Sequence, residues 1–221
     1  MRKTKKAVIF GTASFAEIAH FYLTRDSEYE AVAFTATRDY IRNPSLFGLP
    51  LVSFDSVESL YVPAEHEMFI AVGYVHLNRT RETFYHEAKR KGYRLLTYVS
   101  SKATVWSHDI GDNCFVLEDN TIQPFVKIGN NVVMWSGNHI GHHSTIQDHC
   151  FLSSHVVISG HVQVGPYCFI GVNAAIRENI CLGESCIIGA GALIMKSTKD
   201  REVYIGKRTR PVSRNSDESG F

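Results

Sequence analysis

The sequence predicts a small α/β domain followed by an all-β parallel β-helix, and three observations predict it. From Ile110 to Ile194 every sixth residue is aliphatic, fifteen in succession. Four positions beyond most of these stands a small or β-branched residue, among them Cys114, Val126, Ser144, Cys150, Val162, Cys168, Ala174, Cys186 and Ala192. The first hundred residues lack that period and alternate short apolar runs with helix-spaced segments.

The alternation begins with KKAVIFG at 5–11, a short buried strand ending in glycine. SFAEIAHFYLT follows, with Phe15, Ile18, Ala19, Tyr22 and Leu23 at helical spacing. YEAVAFT is a second strand and EMFIAVGY a later one. HLNRTRETFYHEAKRKG then reads as a polar helix closed by glycine. This order predicts a parallel, Rossmann-like α/β domain over residues 1–100.

From about Ala103 the period of six takes over. One large and one small inward residue per hexapeptide is the pattern of a parallel β-helix made of short flat strands, the large residue filling a face and the small one a corner. Three faces give eighteen residues per coil. Cys114, Cys150, Cys168 and Cys186 are separated by multiples of eighteen, so they are expected to stack inside, with coils ~4.8 Å apart. Cys181 falls off that ladder. About five coils are expected over 101–198, with a polar tail at 199–221.

Lysine plus arginine total 23 against 22 for aspartate plus glutamate, which gives no electrostatic case for nucleic acid or an anionic membrane. The basic start MRKTKKAVIF carries an apolar run too short for a signal segment or a membrane span, so a cytoplasmic location is expected. Five cysteines without a CxxC pair speak against a disulfide framework and a zinc ribbon.

The densest chemistry lies in HIGHHSTIQDHC, residues 139–150. With Ile140 and Ile146 inward, His139, His142, His143 and His149 are expected at outward or turn positions. His143 and His161 are eighteen apart and should stack. A zinc site needs ligands converging at ~2.0–2.1 Å. His142 and His143 are neighbours in extended backbone and are expected to diverge, and the spacing offers no third ligand. A solvated surface role and general-base catalysis by one imidazole are the other readings.

The strand–helix domain joined to GNHIGHHSTIQDHCFLSSHVVISGHVQVGPYCFIGVNAAI resembles the NeuD/PglD-like sugar acetyltransferases, which belong to the left-handed β-helix, hexapeptide-repeat acyltransferases. The resemblance implies acetyl-CoA as co-substrate, no metal, and the amino group of a nucleotide-linked amino-dideoxy sugar as acceptor, in bacterial surface glycan synthesis. It puts the catalytic base on His142, and on Gly160, one coil below, the amide that holds the thioester oxygen. Where that family carries an acidic residue before the histidine, this chain has Gly141. Asp148 or a residue of a neighbouring subunit is left to orient the imidazole.

For CoA, the resemblance points to Gly160, Asn138, Lys196, Lys207 and Arg208, with Lys199 and Arg210 nearby. For the sugar nucleotide it points to Gly11, Ser14, Gly73, Asn78 and Arg79. Of a G-x-G-x-x-G loop only Gly11 is kept, with Ala13 and Ala16 at the other two positions. It also implies a homotrimer, for which Trp135 and Phe125 are read as outward apolar residues that a monomer would leave wet. Stable membrane insertion and nucleic acid are not expected. Sugar O-acetylation, transfer of another acyl group, and a non-catalytic β-helix scaffold remain as alternatives.

Overall fold

The computed structural model describes residues 2–207, 209 and 210. The chain opens with β1 (Lys5–Phe10), α1 (Ser14–Arg25), β2 (Tyr29–Ala36), β3 (Ser45–Leu46), β4 (Leu49–Ser53), α2 (Val57–Leu60), β5 (His66–Ile70) and α3 (Arg79–Arg90). The sheet order is β3-β4-β2-β1-β5. All its pairings are parallel except the β3–β4 hairpin. The expected strands at 5–11, 29–35 and 67–74 and both expected helices are present, whereas the hairpin and α2 were not anticipated. No helix among the described residues is long and apolar enough to cross a membrane.

The rest is a stack of two-residue strands in three parallel ladders, a parallel β-helix. One face pairs Tyr98, Phe115, Val133, Phe151, Phe169, Ile187 and Val203 in turn. A second pairs Thr104, Thr121, His139, Val157, Ala175 and Leu193. The third pairs Lys127, Thr145, Gln163 and Cys181. The repeat is eighteen residues except at the ends, with seventeen between Tyr98 and Phe115 and sixteen between Ile187 and Val203. Those irregular end coils carry strand pairing beyond the expected limits of 101 and 198, because the strict period of six slips at both ends.

Fourteen of the fifteen periodic aliphatics, all but Ile110, are at most 3% exposed, and the four laddered cysteines are fully buried. Each of the upper three thiols donates to a glycine carbonyl of the next coil: Cys114 to Gly129 at 3.1 Å, Cys150 to Gly165 at 3.2 Å and Cys168 to Gly183 at 3.1 Å. They are core fillers with satisfied S–H groups. Cys181 is exposed.

Between faces the chain turns through a left-handed residue every six positions. One corner carries Asn113, Asn131, His149, Tyr167 and Ser185; another carries Asp119, Gly137, His155, Asn173 and Gly191; the third carries Phe125, His143, His161 and Asn179. All have φ between 52° and 80°. Asparagine, aspartate and histidine tolerate this conformation better than most residues. Four of the histidines, His143, His149, His155 and His161, therefore recur every six residues for a backbone reason.

The α/β domain packs on the first face. Phe115, Val133 and Phe151 point out of the coil, yet all are at most 5% exposed, because they lie among α1 and sheet residues such as Ala19, Leu23 and Phe69. Each such side chain contributes about 1.5–3 kcal/mol of apolar burial. Trp135 belongs to this contact, 6.5 Å from Phe15 between ring centres. It is half-buried against the α/β domain, which corrects its reading as a residue left wet in the monomer. Phe125 is 68% exposed, as expected.

Deeper in the same contact Arg81 is fully buried without a carboxylate. Its guanidinium donates to Asn131 Oδ1 and O, both at 3.0 Å, to Cys150 O at 3.2 Å and to Val72 O at 3.3 Å. Burial lowers its pKa to about 10, so it stays charged at neutral pH.

Candidate active site

The corner between the second and third faces lies opposite the face that carries the α/β domain, and it holds His142 and His143. His143 has φ +59°. Phe125, His143 and His161, one per coil, form a column there. The His143 and His161 rings are 4.7 Å apart and 14° from parallel, and Phe125 covers the other side of His143 at 4.6 Å and 36°. The expected His143–His161 stack is present.

His142 does not diverge from His143. Their Nδ1 atoms are 3.1 Å apart and the rings are nearly perpendicular, at 87°. The expectation of divergence assumed extended backbone, whereas the left-handed turn at His143 swings its ring back toward its neighbour. His142 N–H donates to Gln123 Oε1 at 2.9 Å, and its carbonyl accepts from His161 N–H at 2.9 Å. Main chain on both sides of the ring is thereby fixed.

Gly160 follows its strand as His142 does one coil earlier, since His139 and Ile140 pair with Val157 and Ile158. A Cβ on Gly160 would stand 2.7 Å from His142 Cε1 and 2.9 Å from Nε2. The ring therefore rests on the bare glycine backbone. Among the described residues, the Gly160 N–H has no acceptor. Gly141 is equally constrained: a Cβ there would lie 2.5 Å from both Gly160 N and Ser159 C. No side chain, acidic or otherwise, fits at that position without moving the next coil.

One nitrogen from each of His142, His143 and His161 lies within 4.8 Å of the others, so a third imidazole is present that spacing did not supply. The near-parallel stack, however, sets the lone pairs of His143 and His161 side by side. A tetrahedral metal requires ligands converging on one point. The arrangement fits hydrogen bonding and stacking.

Asp148 is not within this group. Its Oδ1 accepts from Asn130 N–H at 2.7 Å, at the next corner, so it does not orient His142. His149, expected outward, is 5% exposed under α3 and stacks on Tyr167 at 5.0 Å. Its Nδ1 faces Asn131 Nδ2 at 2.9 Å. Because Asn131 Oδ1 already accepts from Arg81 and Asn113, that Nδ2 is the donor and His149 the acceptor. Desolvation drops the His149 pKa to about 4.

Of the residues assigned to CoA, Asn138 is 1% exposed, with Nδ2 on the Trp135 carbonyl and Oδ1 accepting from Val156 N–H at 2.8 Å. Both ends of its amide are engaged at the corner. Lys196 is exposed and follows Ile194 by two residues, as Gly160 follows Ile158 and His142 follows Ile140. It therefore stands on the His142 column, three coils down. Lys199, Lys207 and Arg210 are exposed. Arg208 lies outside the described residues.

In the α/β domain a cleft of about 300 Å³ opens at the C-terminal ends of β1, β2 and β5. Gly11, Thr12, Ala13, Thr37, Tyr40, Gly73 and Thr80 are among its lining residues. Ligands of open α/β sheets bind at this edge. Gly11 has φ +134°, and a Cβ there would meet the Ala71 carbonyl at 2.7 Å. Ser14 is exposed at the first residue of α1, beside the lining residues.

Asn78 is buried at the N-terminus of α3 with φ +65°, and among the described residues its side-chain amide has no partner. Arg79 turns away from the cleft. Its guanidinium lies 3.3 Å from the Tyr167 ring centre and 3.2 Å from Glu184 Oε1, so it ties α3 to the β-helix and does not line this cleft. Thr12, Thr37 and Tyr40 are not among the residues expected from the sequence; Thr37 and Tyr40 lie just past β2, where no motif marks them.

The sequence matches no protein-family model and no curated protein. The fold does have solved relatives. A perosamine N-acetyltransferase from Caulobacter crescentus, solved with CoA and GDP-perosamine, superposes with a TM-score of 0.80 at 23% identity, over 91% of this chain and 93% of that one. The acetyltransferase domain of PglB from Neisseria gonorrhoeae, solved with acetyl coenzyme A, gives 0.81 at 21% identity, over 95% and 100%. WeeI from Acinetobacter baumannii gives 0.74 at 19%, over 92% and 97%. The chain shares the fold of these β-helix proteins over nearly its whole length.

Proposed function

We propose that the protein is an acetyl-CoA-dependent N-acetyltransferase acting on a nucleotide-linked amino sugar. The observation that carries the reading is the pairing of an exposed imidazole, His142, with the acceptor-free Gly160 N–H one coil away. A base and an oxyanion donor beside one another, at a site where a side chain is excluded, are what acyl transfer from a thioester requires. Fold relatives solved with CoA, acetyl-CoA and GDP-perosamine support the same chemistry.

In the proposed reaction the sugar amine attacks the thioester carbonyl carbon while His142 Nε2 takes its proton. The carbonyl oxygen gains charge and is met by the Gly160 N–H. The tetrahedral intermediate collapses with breakage of the C–S bond, and His142 returns the proton to the leaving sulfur, giving the amide and CoA thiol. The base supplies about 10²–10⁴-fold and positioning most of the remainder. Lys196, on the same corner, would meet CoA phosphate.

The proposal includes a homotrimer of left-handed β-helices with sites between subunits. The α/β domain sits on the first face and His142 on the corner opposite. A face of six residues is up to about 20 Å long at ~3.3 Å per residue. A nucleotide sugar in the chain's own cleft is therefore separated from its own His142 by the coil, and an adjacent subunit has to bring the two together. The Rossmann-like reading of the first domain supports a nucleotide in that cleft. The bacterial surface glycan role and the cytoplasmic location follow from such substrates. The test is thiol release from acetyl-CoA against UDP-, dTDP- and GDP-linked 3- and 4-amino sugars. Turnover with one of them supports the reading, and turnover with none, in protein that binds CoA, rejects it.

A further inference from the structure

We propose that His143 is the positioning residue for His142, taking over the role that an acidic neighbour cannot fill at Gly141. The proposal rests on His142 being the base. A neutral imidazole that accepts a proton at Nε2 carries its own proton at Nδ1, and that N–H needs an acceptor. The atom 3.1 Å from His142 Nδ1 is His143 Nδ1. Two Nδ1 atoms in contact share one proton, so with His142 donating, His143 accepts and carries its proton on Nε2.

The acceptor is held by packing. His143 sits between the Phe125 and His161 rings, and its backbone is set by the corner turn that recurs every eighteen residues. A carboxylate on residue 141 is sterically barred by Gly160 and Ser159. Asp148 is occupied by Asn130. His143 thus fixes both the tautomer and the plane of His142, leaving the Nε2 lone pair beside Gly160, where the amine and thioester would meet.

Two substitutions separate acceptor from packing. His143→Phe keeps a stacked ring but cannot accept a hydrogen bond. His143→Asn suits the left-handed turn, as Asn131 and Asn179 show, and offers an acceptor oxygen. With the sugar substrate, His143→Phe is expected to lower kcat by at least about 10-fold and by no more than the 10²–10⁴-fold that general-base catalysis supplies, with little change in KM. His143→Asn is expected to keep most of kcat. Nitrogen-15 NMR of the His142 ring should show the Nδ1–H tautomer in the wild type and in His143→Asn, and a tautomer mixture in His143→Phe. An unchanged kcat in His143→Phe, or an Nε2–H tautomer of His142 in the wild type, overturns the proposal. If no sugar is acetylated, the acetyltransferase reading fails by itself, and the tautomer measurement still decides whether His143 orients His142.

Discussion

The His142 ring rests on Gly160, so closely that a Cβ on the glycine would stand 2.7 Å from Cε1. Gly160→Ala is therefore predicted to push the imidazole off the site without unfolding the coil. The expected outcome is a fall in kcat of at least about 10-fold, consistent with loss of base alignment while the N–H of residue 160 is kept, with an unchanged circular dichroism spectrum. Full activity in Gly160→Ala would show that the contact is incidental.

Placement of the α/β cleft proposed to hold the nucleotide and of His142 on opposite sides of one coil predicts a shared site. Gly73 lines the cleft, and a Cβ there meets nothing within 4 Å, so Gly73→Trp should fill the cleft without strain. Neither Gly73→Trp nor His142→Ala should be active alone. Co-expressed, random mixed trimers should regain about one working site in four, by the combinatorics of a three-fold ring. Absence of recovery in verified mixed trimers would place each site within one chain.

The outward apolar residues of the second face bear on the same assembly. Leu193 is 66% exposed and Val157 44% in the single chain. Leu193→Arg combined with Val157→Asp is predicted to convert a trimer into monomers in sedimentation velocity. A wild-type monomer would remove the trimeric account.

Arg81 predicts a stability effect without a catalytic one. Arg81→Met removes the guanidinium from three carbonyls and Asn131 Oδ1 inside the domain contact, of which Cys150 O keeps the Val133 N–H and Asn131 Oδ1 keeps Asn113 Nδ2. Loss of about 2–3 kcal/mol is expected, the cost of leaving buried carbonyls without a donor. Urea unfolding measures it. A change below about 1 kcal/mol would mean that the network relaxes or that water replaces the guanidinium.

His149 predicts acid sensitivity. Its folded pKa is depressed to about 4 by burial, below an unfolded value of ~6.5, so the unfolded chain binds the extra proton first. Its contribution is complete above pH ~6.5 and is lost as pH falls toward 4, by roughly 2–3 kcal/mol at the lower end. His149→Asn keeps a residue suited to the left-handed turn and removes the titration. Stability curves of wild type and variant between pH 4 and 7 should differ in slope; parallel curves would contradict the assignment.

Much of this architecture was legible because one period governs it. Fifteen aliphatics and four cysteines in register gave the coil, its eighteen-residue repeat and the inward set. The same period left the backbone of the corners unread. His143, His149, His155 and His161 also recur every six residues, and the expectation of extended chain at His142–His143 failed because their corner turns left-handed. The covered face was readable as well, since Phe115, Phe151 and Phe169 point outward at multiples of eighteen, too apolar for water. Domain docking is what buried Trp135 and His149 and turned Arg79 from the cleft to Tyr167. That contact joins residues from 50 apart, as Arg81 and Asn131, to 105 apart, as Arg79 and Glu184, and beyond, and leaves no local signal.

The central claim is that His142 is the base for acetyl transfer to an amine. The measurement that tests it most directly is thiol release from acetyl-CoA by wild-type protein and by His142→Asn, with the amino sugar selected from the panel and CoA binding checked in both. The account predicts turnover in the wild type and a loss of at least about 100-fold in kcat in the variant, with CoA still bound. Undiminished turnover in His142→Asn would contradict it.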